Sequence, residues 1–320
     1  MPSDLGKTLF IANPAAQRGN GAQAAQIVYD LLVEWLGEGN VERVLTERPK
    51  HATELAASAS RERFDTVITL GGDGAVHEVV NGLMQLAEAD RPIFGLVPVG
   101  SGNDYARTLG MSECVPDAVV QLIGAREQCA DVGRCNGEYF AETLSFGLDA
   151  AIALDTVQRR ERTGEQGTVL YLKSGLGQLM HHLDTYQMNG LLCNGDEQTR
   201  VSEPILMMAV QVGPTYGGGF RICPDARIDD GLLDICYATA PMNVLEATIK
   251  FLSAKNAHHT RWKNIHFGRA SSLELSFDRR PPCQIDGEPH IADSYAIDVL
   301  PDALRVLVAA DEGGRSRSTP

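Results

Sequence analysis

Positive charge is what this sequence has least of. Its 320 residues carry 28 Lys and Arg against 42 Asp and Glu, a formal net charge of −14. A surface that tracks a nucleic-acid backbone needs clustered Lys and Arg, so nucleic acid is excluded as the main partner. Long apolar runs are missing too. No stretch approaches the roughly 18 uninterrupted apolar residues of a membrane span, and the opening MPSDLGKTLF lacks the apolar core of a signal peptide. The seven cysteines include no C-x-x-C pair, which leaves neither a disulfide framework nor a zinc site and suits a reducing compartment. The chain is therefore expected in the cytoplasm. What is left is an ordinary globular composition, 43% hydrophobic and 22% charged, long enough for two domains that each bury a core.

Two glycine-rich segments carry the chemistry. Residues 70–82 read LGGDGAVHEVVNG and residues 97–104 read VPVGSGND. The first lies between an apolar run, 64–70, and a segment in which Val76, Val79, Val80, Leu83 and Met84 recur at helical spacing: strand, turn, helix. Gly71, Gly72 and Gly74 lack Cβ, which permits positive φ and a close approach to a ligand. The following helix aims unpaired N–H groups and the positive end of its dipole above the turn, an arrangement that favours phosphate. Asp73 would repel a phosphate unless it serves a bridging Mg²⁺ or a water in the metal's shell; its other reading is a simple cap on the turn. The second segment follows another buried strand, 93–97. There Ser101-x-x-Asp104 reads equally as a capping box that only starts a short helix.

Residues 1–126 alternate strand (8–12), amphipathic helix (27–36), strand (41–45) and helix (50–60) before the two glycine segments. This predicts a nucleotide-binding α/β domain with a parallel sheet and both turns at C-terminal strand ends, where open α/β sheets bind ligands. Beyond residue 126 come short alternating runs at 128–134, 138–144, 185–193, 205–212, 232–238, 272–277, 294–300 and 304–308, with Pro301-Asp302 as a turn between the last two. They predict an antiparallel β-sandwich over 127–310, the lipid or substrate domain, with helical insertions at 151–183 and 244–256. The tail, 311–320, reads as disordered. The pairs His181-His182 and His258-His259 have poor metal-ligand geometry and are expected at the surface.

The polar motifs occur in a definite order: Asn13-Pro14, Thr46, Gly71-Gly72-Asp73-Gly74, Glu78 to Gly82, Gly100-Ser101-Gly102-Asn103-Asp104, Gly217-Gly218-Gly219, Pro224-Asp225-Ala226 leading to Asp230-Gly231, and Asp286-Gly287-Glu288. In this order and at these separations the chain resembles, over nearly its whole length, the diacylglycerol kinase catalytic family, which includes bacterial soluble lipid kinases, sphingosine kinases and ceramide kinases. The resemblance implies an NAD kinase/diacylglycerol kinase-like nucleotide domain, a β-rich second domain and an active cleft between them. It implies ATP and Mg²⁺ as cofactors and transfer of the γ-phosphate to the hydroxyl of a lipid such as diacylglycerol. Peripheral contact with the membrane surface, where that lipid lies, follows, and a homodimer is compatible with it. Asn13, Thr46, Gly71, Gly72, Asp73, Gly74, Glu78, Ser101, Asn103 and Asp104 are the implied nucleotide-binding positions. Departures are Ala75 and His77, where the family usually has Thr and Asn, and Ser101 in place of Thr. Ser101 keeps the hydroxyl; Ala75 cannot bond a phosphate.

Phosphoryl transfer asks for positioning, charge neutralisation and a base near the attacking hydroxyl. On composition alone Asp286-Gly287-Glu288 is a hairpin turn. The resemblance makes its carboxylates catalytic alongside Asp73, with Glu288 as base and Asp286 as its partner at the metal, or the reverse. By resemblance to the bacterial members, Asp230 ligates a structural Mg²⁺ with the backbone carbonyls of Arg227 and Leu232. In so acidic a chain any attraction to a membrane is local, and the candidates are Arg159-Arg160 with Arg162, Arg261-Trp262-Lys263 and Arg279-Arg280. Two rival functions stand beside the lipid kinase. An NAD kinase-like enzyme shares the GGDG turn but lacks the later motifs in this order. A non-catalytic nucleotide-binding regulator would suit Ala75 but not intact Asp73, Asp286 and Glu288.

Overall fold

The structure, a computed structural model, describes residues 4–16, 21–165, 168–181 and 183–310. The tail expected to be disordered lies outside the described residues, as does His182. The first half runs β1 (Thr8–Ala12), α1 (Gly21–Leu36), β2 (Val41–Leu45), α2 (His51–Ala57), β3 (Thr66–Gly71), α3 (Asp73–Leu83), β4 (Ile93–Pro98), α4 (Asp104–Thr108) and α5 (Val115–Ile123). Its four strands lie in the order β4-β3-β1-β2, all parallel, with Thr8 opposite Thr66 and Thr66 opposite Ile93. β1, β3 and β4 are buried along their whole length, as their unbroken apolar and β-branched runs require when helices cover both faces. Among these four strands only the edge strand β2 exposes charges, Glu42 and Arg43.

The second half runs β5 (Arg126–Cys135), β6 (Glu138–Phe140), β7 (Thr143–Gly147), α6 (Leu148–Thr163), α7 (Thr168–His181), β8 (Tyr186–Asn194), β9 (Glu197–Gln211), β10 (Leu233–Thr239), α8 (Val244–Ala254), β11 (Ile265–Ala270), β12 (Ser272–Phe277), β13 (Cys283–Ile285), β14 (Glu288–Pro289) and β15 (Ser294–Val308). β7, β9, β8, β12 and β15 pair antiparallel in that order, and β10 and β11 branch from β9. β15 joins the halves: it runs antiparallel to β5 and touches β4 in parallel at Val306 and Phe94. This is a mixed architecture, a parallel α/β unit followed by a β-sandwich.

Three local readings change. Residues 294–300 and 304–308 are one strand, because Pro301-Asp302 sits in a bulge where the register shifts, with Asp302 at φ 51°. The expected strand over 138–144 breaks into β6 and β7, because the N–H groups of Ala141, Glu142 and Thr143 turn to the Asp286 carboxylate. His259 is buried rather than at the surface. Ala257 in the left-handed region turns the chain inward, and the His259 ring Nε2 meets the carbonyl of Ile222 at 2.9 Å. His258 is exposed as expected. A main core runs through both halves, and a second one, around Tyr171, Phe220 and Phe251, lies beneath α6, α7 and α8.

Candidate active site

The two glycine turns touch. A Cβ on Gly72 would lie 2.8 Å from the Cα of Gly100, and one on Gly100 would lie 2.4 Å from the Cα of Gly72. Glycine is required here for close packing of one turn on the other. The positive φ expected of Gly71, Gly72 and Gly74 is not used: none is in the left-handed region, and Gly72 has φ −103°. Next to them opens a cleft of about 730 Å³, within the usual range for a small-molecule site. Asn13, Thr46, Gly72, Asp73, Gly74, Glu78, Ser101 and Asp104 all line it; Gly71 and Asn103 do not. The flank of Gly74 is open, with nothing within 4 Å of a Cβ placed there.

Several of these residues build the cleft. Asn103, at φ 54°, precedes α4 and closes the second turn, its Oδ1 accepting the Gly100 N–H at 2.8 Å and its Nδ2 donating to the Gly100 carbonyl at 3.0 Å. The Ser101 capping box is thus not formed, and Ser101 faces the cleft instead. The Glu78 carboxylate accepts the N–H groups of Lys50 and Ala52 at 2.9 and 3.1 Å, anchoring the start of α2. Asn13 Oδ1 accepts the Ala15 N–H at 2.9 Å.

Beneath the turns Asp73, Asp104 and Glu142 converge, each offering a carboxylate oxygen within 4.8 Å of the others. Glu142 escaped the sequence reading; its only signal was a lone charge in FAETLSFG. It is buried and accepts the Tyr105 N–H at 2.8 Å, while Asp73 accepts that of Asp104 at 2.8 Å. Burial first, then the charge of Asp73, pushes the Asp104 carboxyl up to about 7, and burial with the charges of Asp73 and Asp104 drives Glu142 well above the usual carboxylate range. Like charges at this spacing, two of them buried and Asp73 half-buried, fit a hard divalent cation. Asp104 is also a joint between the halves. It accepts the N–H groups of Gly218 and Gly219, both at 2.7 Å, and the Arg107 guanidinium at 2.8 Å. Gly217, Gly218 and Gly219 all have positive φ, 66°, 80° and 88°, which bends their N–H groups toward that carboxylate.

Asp286 and Gly287, at φ 46° and 92°, form a two-residue hairpin turn between β13 and β14. Asp286 is buried and fully engaged. Its Oδ1 accepts the N–H groups of Glu142 and Thr143 at 3.1 and 2.9 Å; its Oδ2 accepts that of Ala141 at 2.9 Å and faces His77 Nδ1 at 3.3 Å. With two donors on each oxygen it has no room for a metal or a substrate proton. The expected role at the metal does not fit; Asp286 positions Glu142 instead. Glu288 is exposed, lines the cleft and has no bonded partner among the described residues. His77 entered the sequence reading only as a departure from the family. It is buried, with Nε2 3.4 Å from Glu138. Burial opposes its charge, but the bonds to Asp286 and Glu138 outweigh it and push the imidazole up to about 10.

Asp230 lies in a turn whose N–H groups, from Asp230 and Gly231, point at Asp131 at 3.0 and 2.7 Å. Its Oδ1 accepts the Leu232 N–H at 3.2 Å and its Oδ2 pairs with Arg269, which also reaches Asp234 at 3.3 Å. A structural Mg²⁺ on Asp230 and the carbonyls of Arg227 and Leu232 does not fit while this guanidinium is in place. Asp234 Oδ2 is nevertheless buried without a hydrogen-bond partner among the described residues, and burial pushes that carboxyl up to about 6.

Residues 7–135 match the diacylglycerol kinase catalytic domain, and residues 142–308 match the YegS C-terminal NAD kinase beta sandwich-like domain. The chain is 31% identical over 262 residues to a protein of Chromohalobacter salexigens named "Probable lipid kinase YegS-like", covering 81% of this chain and 80% of that one. It is 28% identical over 251 residues to the diacylglycerol kinase of Bacillus subtilis, covering 74% and 75%. A solved structure described as a diacylglycerol kinase from Bacillus anthracis superposes with a TM-score of 0.73 at 20% identity, over 96% of this chain and 98% of that one, a likeness of fold.

Proposed function

Because the chain belongs to the diacylglycerol kinase catalytic family and its homologues bear the names of lipid kinases, we propose that it is an ATP- and Mg²⁺-dependent enzyme that phosphorylates the free hydroxyl of a lipid such as diacylglycerol. The observation that carries this reading is the meeting, in one cleft, of the glycine turns, the Asp73, Asp104 and Glu142 carboxylates, and Glu288. The nucleotide phosphates lie against Gly72, Gly74 and Ser101, where the start of α3 presents free N–H groups. Asp73, Asp104 and Glu142 would hold Mg²⁺, which when bound would supply neutralisation of the phosphate charge. Asp286, through His77, and Asp104, through the Gly218 loop, keep the two halves of the cleft in register. As the lipid oxygen bonds the γ-phosphorus and the bond to the β-γ bridging oxygen breaks, releasing ADP, Glu288 accepts the hydroxyl proton.

The test is purified protein with labelled ATP and, as acceptors, diacylglycerol, ceramide, sphingosine, phosphatidylglycerol and NAD. Label in a lipid, dependent on Mg²⁺, is the expected result. Label in NAD alone would return the protein to the NAD kinase-like reading, and nucleotide binding with no transfer to any acceptor would make it a regulator.

A further inference from the structure

Large apolar side chains left in solvent gather on one part of this molecule. α7 and α8 pack on each other where Gly175 makes room for the Phe251 ring, whose Cζ would lie 2.4 Å from a Cβ on that glycine. Away from that contact each helix exposes an apolar stripe: Val169, Leu176 and Met180 on α7, and Leu245, Ile249 and Leu252 on α8. Leu245 is 71%, Met180 67% and Val169 64% exposed. The spacings, i, i+7, i+11 and i, i+4, i+7, put each set on one helix face. Val244 at the start of α8 and Trp262 and Phe267 just beyond it are exposed as well, whereas the other exposed large apolar side chains among the described residues are scattered over α1, β2, α5 and the loop after β14. An apolar surface of this kind marks an interaction site.

Its charge says with what. Of the cations on α7, α8 and the segment after them, Lys250 is buried and pairs with Glu246, Lys173 pairs with Glu165, and Lys255 donates to the Gly218 carbonyl, which leaves Arg261 and Lys263 to face solvent in a chain of net charge −14. Arg261 and Lys263 are exposed and make no ion pair among the described residues. The other basic clusters are largely occupied: Arg159 pairs with Asp155, Arg279 with Asp184 and Arg280 with Asp293, while Arg160 lines the cleft. An exposed Trp between two free cations, beside two apolar helix stripes, matches the chemistry of a bilayer interface with anionic headgroups.

We propose that the outer faces of α7 and α8, with Arg261-Trp262-Lys263, form the surface on which this protein docks to an anionic lipid bilayer. The inference rests on the lipid-kinase reading for its purpose, because Leu170 and Tyr171 on the inner side of α7 line the catalytic cleft, so docking this helix brings the bilayer to the wall of that cleft. Docking itself needs no turnover.

The experiment uses the full chain and substrate-free vesicles, one set of phosphatidylglycerol and phosphatidylcholine in equal amounts and one of phosphatidylcholine alone, read by co-sedimentation and by the blue shift of Trp emission. The wild type should bind the anionic vesicles far better. Arg261→Gln with Lys263→Gln should weaken that binding roughly thirtyfold, since each basic residue near such a surface is worth about a fivefold factor. Leu245→Glu with Ile249→Glu should weaken it by at least about tenfold. Turnover of a short-chain soluble acceptor should be unchanged in both variants. Wild type left in the supernatant, or variants that bind as well as wild type, would overturn the proposal. So would light scattering that shows a dimer dissociated by Leu245→Glu, which would assign the face to a second copy. A parallel fall in soluble-acceptor turnover would also overturn it, by placing these residues in folding or catalysis. Because the vesicles contain no acceptor, a failure of docking and a failure of the kinase reading appear in separate measurements.

Discussion

His77, on the helix that follows the first glycine turn, lies 3.3 Å from Asp286, which stands 209 residues later in the hairpin beside Glu288. The imidazole also faces Glu138, and the same helix bonds the second half through Asn81, which donates to the Tyr139 carbonyl at 2.9 Å and accepts the Tyr139 N–H at 3.1 Å. The first glycine turn and the D-G-E hairpin are therefore held by one buried charged contact and a pair of backbone-directed bonds.

His77→Asn, which restores the family's usual residue, removes that charge. Loss of one partner of a buried ion pair should destabilise the fold by about 3 kcal/mol near neutral pH. An imidazole raised from about 6.5 unfolded to about 10 folded contributes stability that is fully present below pH 6.5 and is lost as pH rises through about 10. Denaturant unfolding of wild type and variant between those limits should therefore converge as pH rises. Curves that stay parallel would show that the imidazolium is not what links the halves.

Glu142→Gln should separate stability from activity. Removing one of three clustered carboxylates, two of them buried, relieves repulsion, so the apo protein should melt higher than wild type. The Mg²⁺-induced rise in Tm should shrink, and phosphate transfer should fall steeply. An unchanged response to Mg²⁺ would take Glu142 out of the metal site.

Glu288→Gln keeps the size of the side chain without its basicity. Loss of a general base costs about 10²- to 10⁴-fold in rate, while a non-hydrolysable nucleotide should bind with near-normal affinity at the glycine turns. Wild-type kcat on an accepted lipid would remove Glu288 from the proton transfer.

Arg269 predicts an outcome at the Asp230 turn. If its guanidinium neutralises Asp230 and Asp234, Asp230→Ala should lower Tm equally in Mg²⁺ and in EDTA, because only a ligand bound to the native state stabilises it. Arg269→Gln should instead create a protein whose Tm rises on adding Mg²⁺. A loss in Asp230→Ala confined to Mg²⁺ would place the cation on Asp230 in the wild type.

Much of the site was legible locally. The turns after β3 and β4, the Asp73 carboxylate and the D-G-E hairpin each follow from a short run of residues whose conformational needs are met within that run. Glu142 and His77 were not legible, because a charge inside a strand-like segment acquires meaning only when residues far along the chain come to face it. The role of Asp286 was legible as a carboxylate in a turn, but not as one with every acceptor position filled.

Composition and the order of short motifs thus determined the family and the two glycine turns, properties of residue type and local spacing. Tertiary structure decided which carboxylates converge, that Asp286 positions while Glu288 faces the cleft, that Arg269 stands at the Asp230 turn, and which basic cluster is left unpaired. Those outcomes depend on burial and on contacts between segments distant in sequence, and the energies of buried charges are set by such neighbours rather than by the residues alone.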